Sequence, residues 1–212
     1  MNQVPFIAVE GAIGAGKTTL ASMLAAELNM PLLKEIVEEN PFLDKFYRNI
    51  DEWSFQLEMF FLCNRYKQLG DTQSQLIGQG KPVVSDYHIY KNLIFSERTL
   101  KGREREKYRQ IYHVLTDDLA KPDIIVYIKA SLDTLLARIA KRGRSFEQAM
   151  DHGYLEQLIE DYESAMASLA ITEPETTIIT VDGDDLDFVA EADHFAYIAE
   201  QVKSKLASEH LR

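Results

Sequence analysis

The sequence of 212 residues predicts an α/β protein with a central, mostly parallel sheet of five strands flanked by helices. Short apolar runs typical of buried strands alternate along the chain with longer helical patterns, which indicates parallel strands joined by crossover helices. Apolar residues make up 46% of the chain, enough for a sizeable core. We expect one domain that spans residues 1–212.

Five apolar runs bounded by turn residues account for the sheet. The predicted strands are residues 4–10, 30–33, 81–86, 123–128 and 176–181. Between and after them, apolar residues recur at helical spacing. The predicted helices are residues 20–28, 41–47, 51–69, 89–100, 102–119, 132–142, 154–170 and 188–206.

The first strand leads directly into a glycine-rich segment that has the spacing Gly-x-x-x-x-Gly-Lys-Thr. With a strand before it and a helix after it, this segment predicts a P-loop, whose backbone N–H groups and helix N-terminus bind phosphate. The predicted ATP-binding residues are Gly11, Ala12, Ile13, Gly14, Ala15, Gly16, Lys17, Thr18 and Thr19. Lys17 would reach the β- and γ-phosphates, and Thr18 would ligate Mg²⁺.

Two acidic residues follow predicted strands at their carboxyl ends, where ligands bind in open α/β sheets. Glu35 follows the second strand and Asp86 follows the third. A carboxylate beside the γ-phosphate can accept the proton of an attacking hydroxyl or orient magnesium, so both are candidate catalytic residues and Asp86 is a candidate metal ligand. The alternative for either is a helix cap or a solvated acid.

Three arginines surround a predicted helix end in residues 132–144. Arg138 and Arg142 lie four apart on one face, and a glycine then ends the helix before Arg144. Arginines on a movable segment suit phosphoryl transfer because guanidinium groups neutralise the transferring oxygens. We expect an arginine-rich lid at about residues 139–150; the alternative is ordinary cations at a helix C-terminus.

The charge and cysteine content exclude several classes of function. A net charge of −11 argues against sequence-independent nucleic-acid binding, which requires many Lys and Arg contacts to phosphate. Cys63 is the sole cysteine, so an internal disulfide is excluded and a reducing compartment is favoured. No apolar run is long enough to span a bilayer. We therefore expect a cytoplasmic protein with neither membrane nor nucleic-acid partners.

Residues 53–69 of the helix predicted at 51–69 are apolar and aromatic on most faces, which indicates burial in the core or against a second subunit. On this basis we expect a homodimer through that helix. Trp53, Phe55 and Phe95 are candidates to stack on a base, although such aromatic residues are more often core. His88 and His113 are isolated, which favours structural roles over metal binding.

These segments together resemble the deoxyribonucleoside kinase family over nearly the whole chain. The residues that carry the resemblance are 11–19, 35, 42–47, 53–58, 86, 94–95, 138–144 and 147. The resemblance implies a P-loop kinase fold, ATP and Mg²⁺ as cofactors, and a deoxyribonucleoside acceptor. It also implies that Glu35 takes the proton of the 5′-hydroxyl, that Tyr47 and Glu147 hold the 3′-hydroxyl, and that Phe95 stacks on the base. Lys17, Arg138, Arg142 and Arg144 would contact phosphate.

The chain departs from the family pattern after the third strand. The family usually has Asp/Glu-Arg-Ser there, whereas this chain has Asp86, Tyr87 and His88. The missing arginine removes one expected phosphate contact near Glu35, which a lysine or arginine from elsewhere in the chain would have to replace.

A second departure predicts the substrate. Glu58 stands where many family members have a base-reading glutamine. A carboxylate only accepts hydrogen bonds, so it suits guanine, which presents the N1–H and 2-amino donors, and repels the N1 acceptor of adenine. Arg65 would hold Glu58 or donate to guanine O6, and Asn92 would also lie at the base.

We therefore expect ATP-dependent phosphorylation of the 5′-hydroxyl of a purine deoxyribonucleoside, with deoxyguanosine as the favoured substrate and deoxyinosine a weaker one. Three alternatives remain open. The first is a deoxyadenosine or broad-specificity kinase, the second a nucleoside monophosphate kinase, and the third a non-catalytic regulatory partner of a kinase.

Overall fold

A computed structural model describes residues 4–37, 40–145, 147 and 150–209. Five strands form one parallel sheet with the spatial order β2-β3-β1-β4-β5. Their bounds are Phe6–Gly11 (β1), Leu32–Leu33 (β2), Val83–Ser85 (β3), Ile124–Lys129 (β4) and Thr177–Asp182 (β5). The predicted fold class, a five-stranded parallel sheet flanked by helices, is confirmed.

The central strand β1 lies between β3 and β4. Ile7 pairs with Val84 on one side and with Ile124 on the other, and all six residues of β1 are buried. Burial on both faces is typical of an apolar run such as residues 6–9, and Glu10 is the charged residue that is buried with them. Because all strands are parallel, the segments that follow them emerge at one edge of the sheet.

Eight α-helices cover this sheet within the described residues. Their bounds are Lys17–Glu27 (α1), Leu43–Arg48 (α2), Ile50–Gln75 (α3), Lys91–Thr99 (α4), Gly102–Thr116 (α5), Leu132–Arg142 (α6), His152–Thr172 (α7) and Ala192–Glu209 (α8). Each predicted helix is present. The last one begins four residues later than predicted, because Asp187 Oδ1 accepts hydrogen bonds from the backbone N–H groups of Val189 and Ala190 and holds this segment in a turn.

Helix α1 packs on β1, β2 and β3, and α8 packs on β5. Lys203 of α8 pairs with Glu27 of α1, so these two helices lie side by side. Helix α7 packs on β4, β5 and α4, and α4 packs in turn on α3. Asp151 caps α7 by accepting a hydrogen bond of 2.8 Å from the backbone N–H of Tyr154.

Helix α3 contributes to two separate groups of buried apolar side chains. Leu57 and Phe61 belong to the larger core, which contains most of the sheet. Leu62 and Leu69 belong to a smaller core that includes Phe6 and residues of β3, α4 and α5. This double role accounts for much of the apolar surface of α3 within one chain.

None of the helices within the described residues is long and apolar enough to cross a membrane.

Candidate active site

A cleft of about 1010 Å³ lies at the carboxyl-end edge of the sheet. The glycine-rich segment after β1 forms one end of it, together with α6 and the segment after β5. Side chains of α2, α3, α4 and α7 form the other end. The cleft is continuous, so a phosphate donor at the first end and an acceptor at the second would share one space.

The glycine-rich segment has the conformation that its glycines permit. Gly14 has φ +88°, and a Cβ atom there would lie 2.9 Å from the carbonyl oxygen of Leu135. Lys17 begins α1, and its Nζ donates hydrogen bonds of 2.8 and 2.9 Å to the carbonyl oxygens of Gly11 and Ala12. The lysine therefore lies folded over the segment to which it belongs.

Asp86 connects this segment to the end of β2. Its Oδ2 accepts a hydrogen bond of 2.7 Å from the Thr18 hydroxyl, and its Oδ1 accepts one of 2.7 Å from the backbone N–H of Glu35. The rule that strand ends converge thus places Thr18, Asp86 and Glu35 together as the sequence predicts. A hydroxyl and a carboxylate oxygen side by side are the hard ligands that Mg²⁺ prefers.

The Glu35 carboxylate is paired with two cations. Arg65 donates to Oε1 through Nε (2.8 Å) and Nη2, and Lys91 Nζ lies 3.0 Å from Oε2. Burial alone raises the pKa of Glu35, but the charges of Arg65 and Lys91 outweigh it and lower the pKa to about 2. Glu35 is therefore ionised at neutral pH.

One of the two roles predicted for Arg65, holding Glu58, is wrong, whereas donation to guanine O6 stays a prediction. Its hydrogen bonds within the described residues go to Glu35 and to Oδ1 of Asn92 (2.7 Å), not to Glu58. The spacing of seven residues does bring Arg65 and Glu58 to the same side of α3, but the end of β2 supplies the carboxylate that binds Arg65. Asn92 lies behind Arg65, where its Nδ2 donates to the hydroxyl of Tyr108 (2.7 Å), and so does not line the cleft.

Glu58 is 1% exposed and lines the acceptor end of the cleft. Thr99 Oγ1 lies 3.2 Å from its Oε1. Burial raises the pKa of Glu58 to about 7, although Arg65 and the Thr99 hydroxyl act in the opposite direction. Phe95, half-buried, lines the cleft nearby and packs edge-on against Tyr162.

Tyr47 and Glu147 line the same end of the cleft. Glu147 is buried and forms an ion pair with Arg142, and Arg144 Nη1 lies 3.8 Å from Glu147 Oε1. Burial and then the Glu147 charge raise the pKa of Tyr47, so its hydroxyl stays protonated. Of the predicted lid at residues 139–150, residues 146, 148 and 149 lie outside the described residues.

Arg138 links the phosphate end of the cleft to the segment after β5. Nη1 donates to the carbonyl oxygen of Ala15 (3.0 Å), and Nη2 donates to that of Gly183 (2.7 Å). Arg138 belongs to the regular part of α6, one turn before its end. Its guanidinium group thus braces the glycine-rich segment while it lines the cleft.

Of the three aromatic candidates for base stacking, only Phe95 lies in the described wall of the cleft. Trp53 stacks on Phe42, and Phe55 packs against the smaller core. The His88 ring is buried and hydrogen-bonded to backbone groups, as expected of a structural histidine. In the described part of the chain, no group of three or more His, Cys, Asp or Glu side chains is placed to hold a metal ion.

Three parts of the cleft are not among the residues predicted from the sequence. Lys91 and Tyr154 lie in its wall, and so do residues 187–190 after β5, where Phe188 approaches Gly16. The rule of converging strand ends, applied to β5 as to the other strands, would have found residues 187–190. No sequence signal distinguishes Lys91 or Tyr154 from other residues in the first turn of a helix.

Comparison with known sequences finds relatives that agree with one another in the kind of enzyme they are. The family model for deoxynucleoside kinase matches residues 7–207. The chain is 62% identical over 203 residues to the deoxyguanosine kinase of Bacillus subtilis (strain 168), which covers 96% of this chain and 98% of the relative. It is 32% identical over 166 residues to the deoxyadenosine/deoxycytidine kinase of the same organism, covering 74% of this chain and 75% of that one.

Solved structures show the same architecture. The structure of deoxyadenosine kinase from M. mycoides with bound dCTP matches with a TM-score of 0.79 and 27% sequence identity. The match covers 94% of this chain and 99% of that one.

Proposed function

Because the chain belongs to the deoxynucleoside kinase family, we propose that it transfers the γ-phosphoryl group of ATP to the 5′-hydroxyl of deoxyguanosine, giving dGMP and ADP. The observation that carries this proposal is the continuous cleft, which has a P-loop at one end and the buried carboxyl group of Glu58 at the other. The extensive identity to the Bacillus subtilis deoxyguanosine kinase supports the choice of base.

At the acceptor end, the proposed ligands divide by the part of the nucleoside that they bind. Glu58 accepts from guanine N1–H and the 2-amino group, while Phe95 provides a ring face for stacking. Tyr47 and Glu147 bind the 3′-hydroxyl. Arg65 contacts Glu35 and the base rather than Glu58. Asn92 accepts a hydrogen bond from Arg65 on the side away from the cleft.

Glu35 is the proposed general base. The 5′-oxygen attacks the γ-phosphorus, the bond from that phosphorus to the β–γ bridging oxygen breaks, and the 5′-hydroxyl proton passes to Glu35. Because the charges of Arg65 and Lys91 lower the pKa of Glu35, we expect the proton to move as the O–P bond forms rather than before it.

At the donor end, the backbone N–H groups of residues 11–19 and the side chains of Lys17, Arg138, Arg142 and Arg144 are the proposed phosphate ligands. Arg142 and Arg144 now pair with Glu147, and bound phosphate would compete for them. Thr18 and Asp86 would hold Mg²⁺, which neutralises charge on the β- and γ-phosphates when bound. Phe188 and Val189 offer an apolar surface beside Gly16 for the base of ATP.

We also propose that the chain acts as one domain, in the cytoplasm, as a homodimer. Of the apolar side chains of α3, Leu57, Phe61, Leu62 and Leu69 pack within the chain. The outer side of α3 retains Tyr66 at 37% exposure. A light-scattering mass equal to one chain would refute the dimer.

The direct test measures initial rates with ATP and Mg²⁺ across deoxyguanosine, deoxyadenosine, deoxycytidine, deoxyinosine, thymidine, guanosine and dGMP. We expect the highest kcat/KM with deoxyguanosine and loss of activity when Mg²⁺ is chelated. Equal rates with deoxyadenosine would still support a deoxynucleoside kinase but would refute the preference for guanine. Activity on dGMP alone would indicate a monophosphate kinase, and ATP binding without any product would indicate a regulatory partner.

A further inference from the structure

Lys91 is a buried cation in the wall of the cleft for which the sequence offered no role. It begins α4, is 4% exposed, and lines the cleft together with Lys17 and Glu35. The segment before it turns away from the cleft: the Tyr87 ring is buried in the smaller core, and its hydroxyl donates to Gln68 Oε1 (2.9 Å). The segment at residues 87–90 thus places Tyr87 in the smaller core and Lys91, which follows it, in the wall of the cleft.

The Lys91 ammonium group has hydrogen-bonding capacity left over. It carries three donors. Within the residues that the structure describes, its Nζ donates to Glu35 Oε2 alone, at 3.0 Å. Two N–H groups therefore remain for a ligand in the cleft.

The local charge balance also favours an anionic ligand. Arg65 already pairs with Glu35 through Oε1, so the carboxylate has a partner without Lys91. Of the other buried acids nearby, Asp86 accepts hydrogen bonds from the Thr18 hydroxyl and the Glu35 N–H, and burial raises the pKa of Glu10. Burial lowers the pKa of Lys17, and the charge of the nearby Lys91 lowers it further. Two buried ammonium groups that repel each other in this way indicate a site for an anion.

We propose that Lys91 is a catalytic residue whose ammonium group bridges Glu35 and the γ-phosphoryl group of ATP during transfer. This inference rests on the proposed function. The phosphoryl oxygens would accept hydrogen bonds from the two remaining N–H groups of Lys91. The interaction of Lys91 with Glu35 Oε2 would then weaken. The same oxygen then accepts the 5′-hydroxyl proton as the 5′-oxygen bonds to the γ-phosphorus and ADP leaves. Lys91 would supply, from α4, the cation that the segment at Asp86, Tyr87 and His88 lacks.

The test compares Lys91→Met, which keeps the length but removes the charge, with Lys91→Arg, which keeps the charge. The matched control is Lys101→Met, because Lys101 is an exposed lysine that pairs with Asp51 on the surface. For each full-length variant, kcat and KM are measured with deoxyguanosine and ATP. The dissociation constants of ATP and ADP are measured separately by calorimetry, and folding is checked by thermal unfolding.

We expect Lys91→Met to lower kcat by roughly 10²- to 10³-fold, with a change below about fivefold in KM for deoxyguanosine. Calorimetry should show about tenfold weaker binding of ATP and nearly unchanged binding of ADP, because only ATP carries the γ-phosphate. Lys91→Arg should recover at least about a tenth of the lost kcat, and Lys101→Met should match the unmodified chain.

A folded Lys91→Met protein with normal kcat would overturn the proposal. So would equal losses of ATP and ADP affinity, which would indicate that Lys91 serves only the general structure of the cleft. If the unmodified chain phosphorylates no nucleoside, the proposed function fails, and the comparison of ATP with ADP binding still decides whether Lys91 faces the γ-phosphate.

Discussion

The hydroxyl oxygen of Thr99 lies 3.2 Å from Oε1 of Glu58, and it also lies 2.9 Å from the carbonyl oxygen of Phe95. A hydroxyl has one hydrogen, so Thr99 can donate to only one of these two acceptors. If Thr99 donates to the Phe95 carbonyl oxygen, its own oxygen can accept a hydrogen bond from a protonated Glu58. Burial, which raises the pKa of Glu58 to about 7, makes this protonated form accessible near neutral pH.

The first prediction is a pH dependence of base recognition. A carboxylate can accept both guanine donors, whereas a carboxylic acid accepts one and presents its own donor. The carboxylate form prevails above the pKa, so kcat/KM for deoxyguanosine should fall as the pH decreases from 8 to 6. Rates of the unmodified chain and of Glu58→Gln across this range provide the measurement. An acid limb that persists unchanged in Glu58→Gln would assign it to another group.

A second prediction concerns Glu58→Gln at fixed pH. A glutamine amide has one acceptor and one donor face, so it can pair with the 6-amino group and N1 of adenine and loses one bond to guanine. The ratio of kcat/KM for deoxyguanosine to that for deoxyadenosine should fall by roughly 10- to 100-fold. Glu52→Gln, an exposed change in the first turn of α3, is the control and should leave the ratio unchanged. A constant ratio in both variants would contradict the role of Glu58.

Much of the fold follows from local sequence patterns. The strands of this sheet are buried apolar runs, and the glycine-rich segment specifies its own turn and the helix after it. The rule of converging strand ends also brings Asp86 to Glu35, although they are separated by 51 residues. These features depend on short segments and on one general property of parallel sheets, so a single sequence suffices to predict them.

The pairing of buried charges, in contrast, does not follow from local sequence patterns. Arg65 and Glu58 share one side of α3, yet Arg65 binds Glu35, because the end of β2 arrives beside it in the folded chain. Lys91 reaches the same carboxylate from the start of α4, while Tyr87 packs in the smaller core. The sequence likewise does not show that two cores of the same chain share the apolar surface of α3. Each of these outcomes depends on the relative positions of elements distant in sequence.

A third prediction follows from Tyr154, whose side chain is more than nine-tenths buried in the wall of the cleft. Its hydroxyl has no hydrogen-bond partner in the part of the chain that the structure describes. An unsatisfied buried hydroxyl costs about 1–3 kcal/mol, which a bound nucleoside could recover. Tyr154→Phe should therefore raise KM for deoxyguanosine by roughly tenfold without lowering the melting temperature. Tyr197→Phe, at an exposed site, is the control. An unchanged KM in Tyr154→Phe would show that the nucleoside does not use this hydroxyl.

The final prediction concerns stability, through His88. The ring accepts a hydrogen bond from the backbone N–H of Tyr90 at Nδ1 (3.4 Å) and has the Ala120 carbonyl oxygen 3.3 Å from Nε2, which fits a neutral ring protonated at Nε2. Burial lowers the pKa of His88 from 6.5 to about 4, although the Ala120 carbonyl acts in the opposite direction.

As the pH falls below 6.5, the unfolded chain therefore binds a proton at His88 before the folded chain does, and the free energy of unfolding decreases. A difference of about 2.5 pKa units corresponds to a loss of roughly 3 kcal/mol between pH 7.5 and 4. His88→Gln lacks this proton, so its free energy of unfolding should fall less over the same range, while the exposed change His113→Gln should follow the unmodified chain. Urea unfolding monitored by circular dichroism at several pH values measures all three. Parallel curves for His88→Gln and the unmodified chain would show that His88 is not the group that titrates.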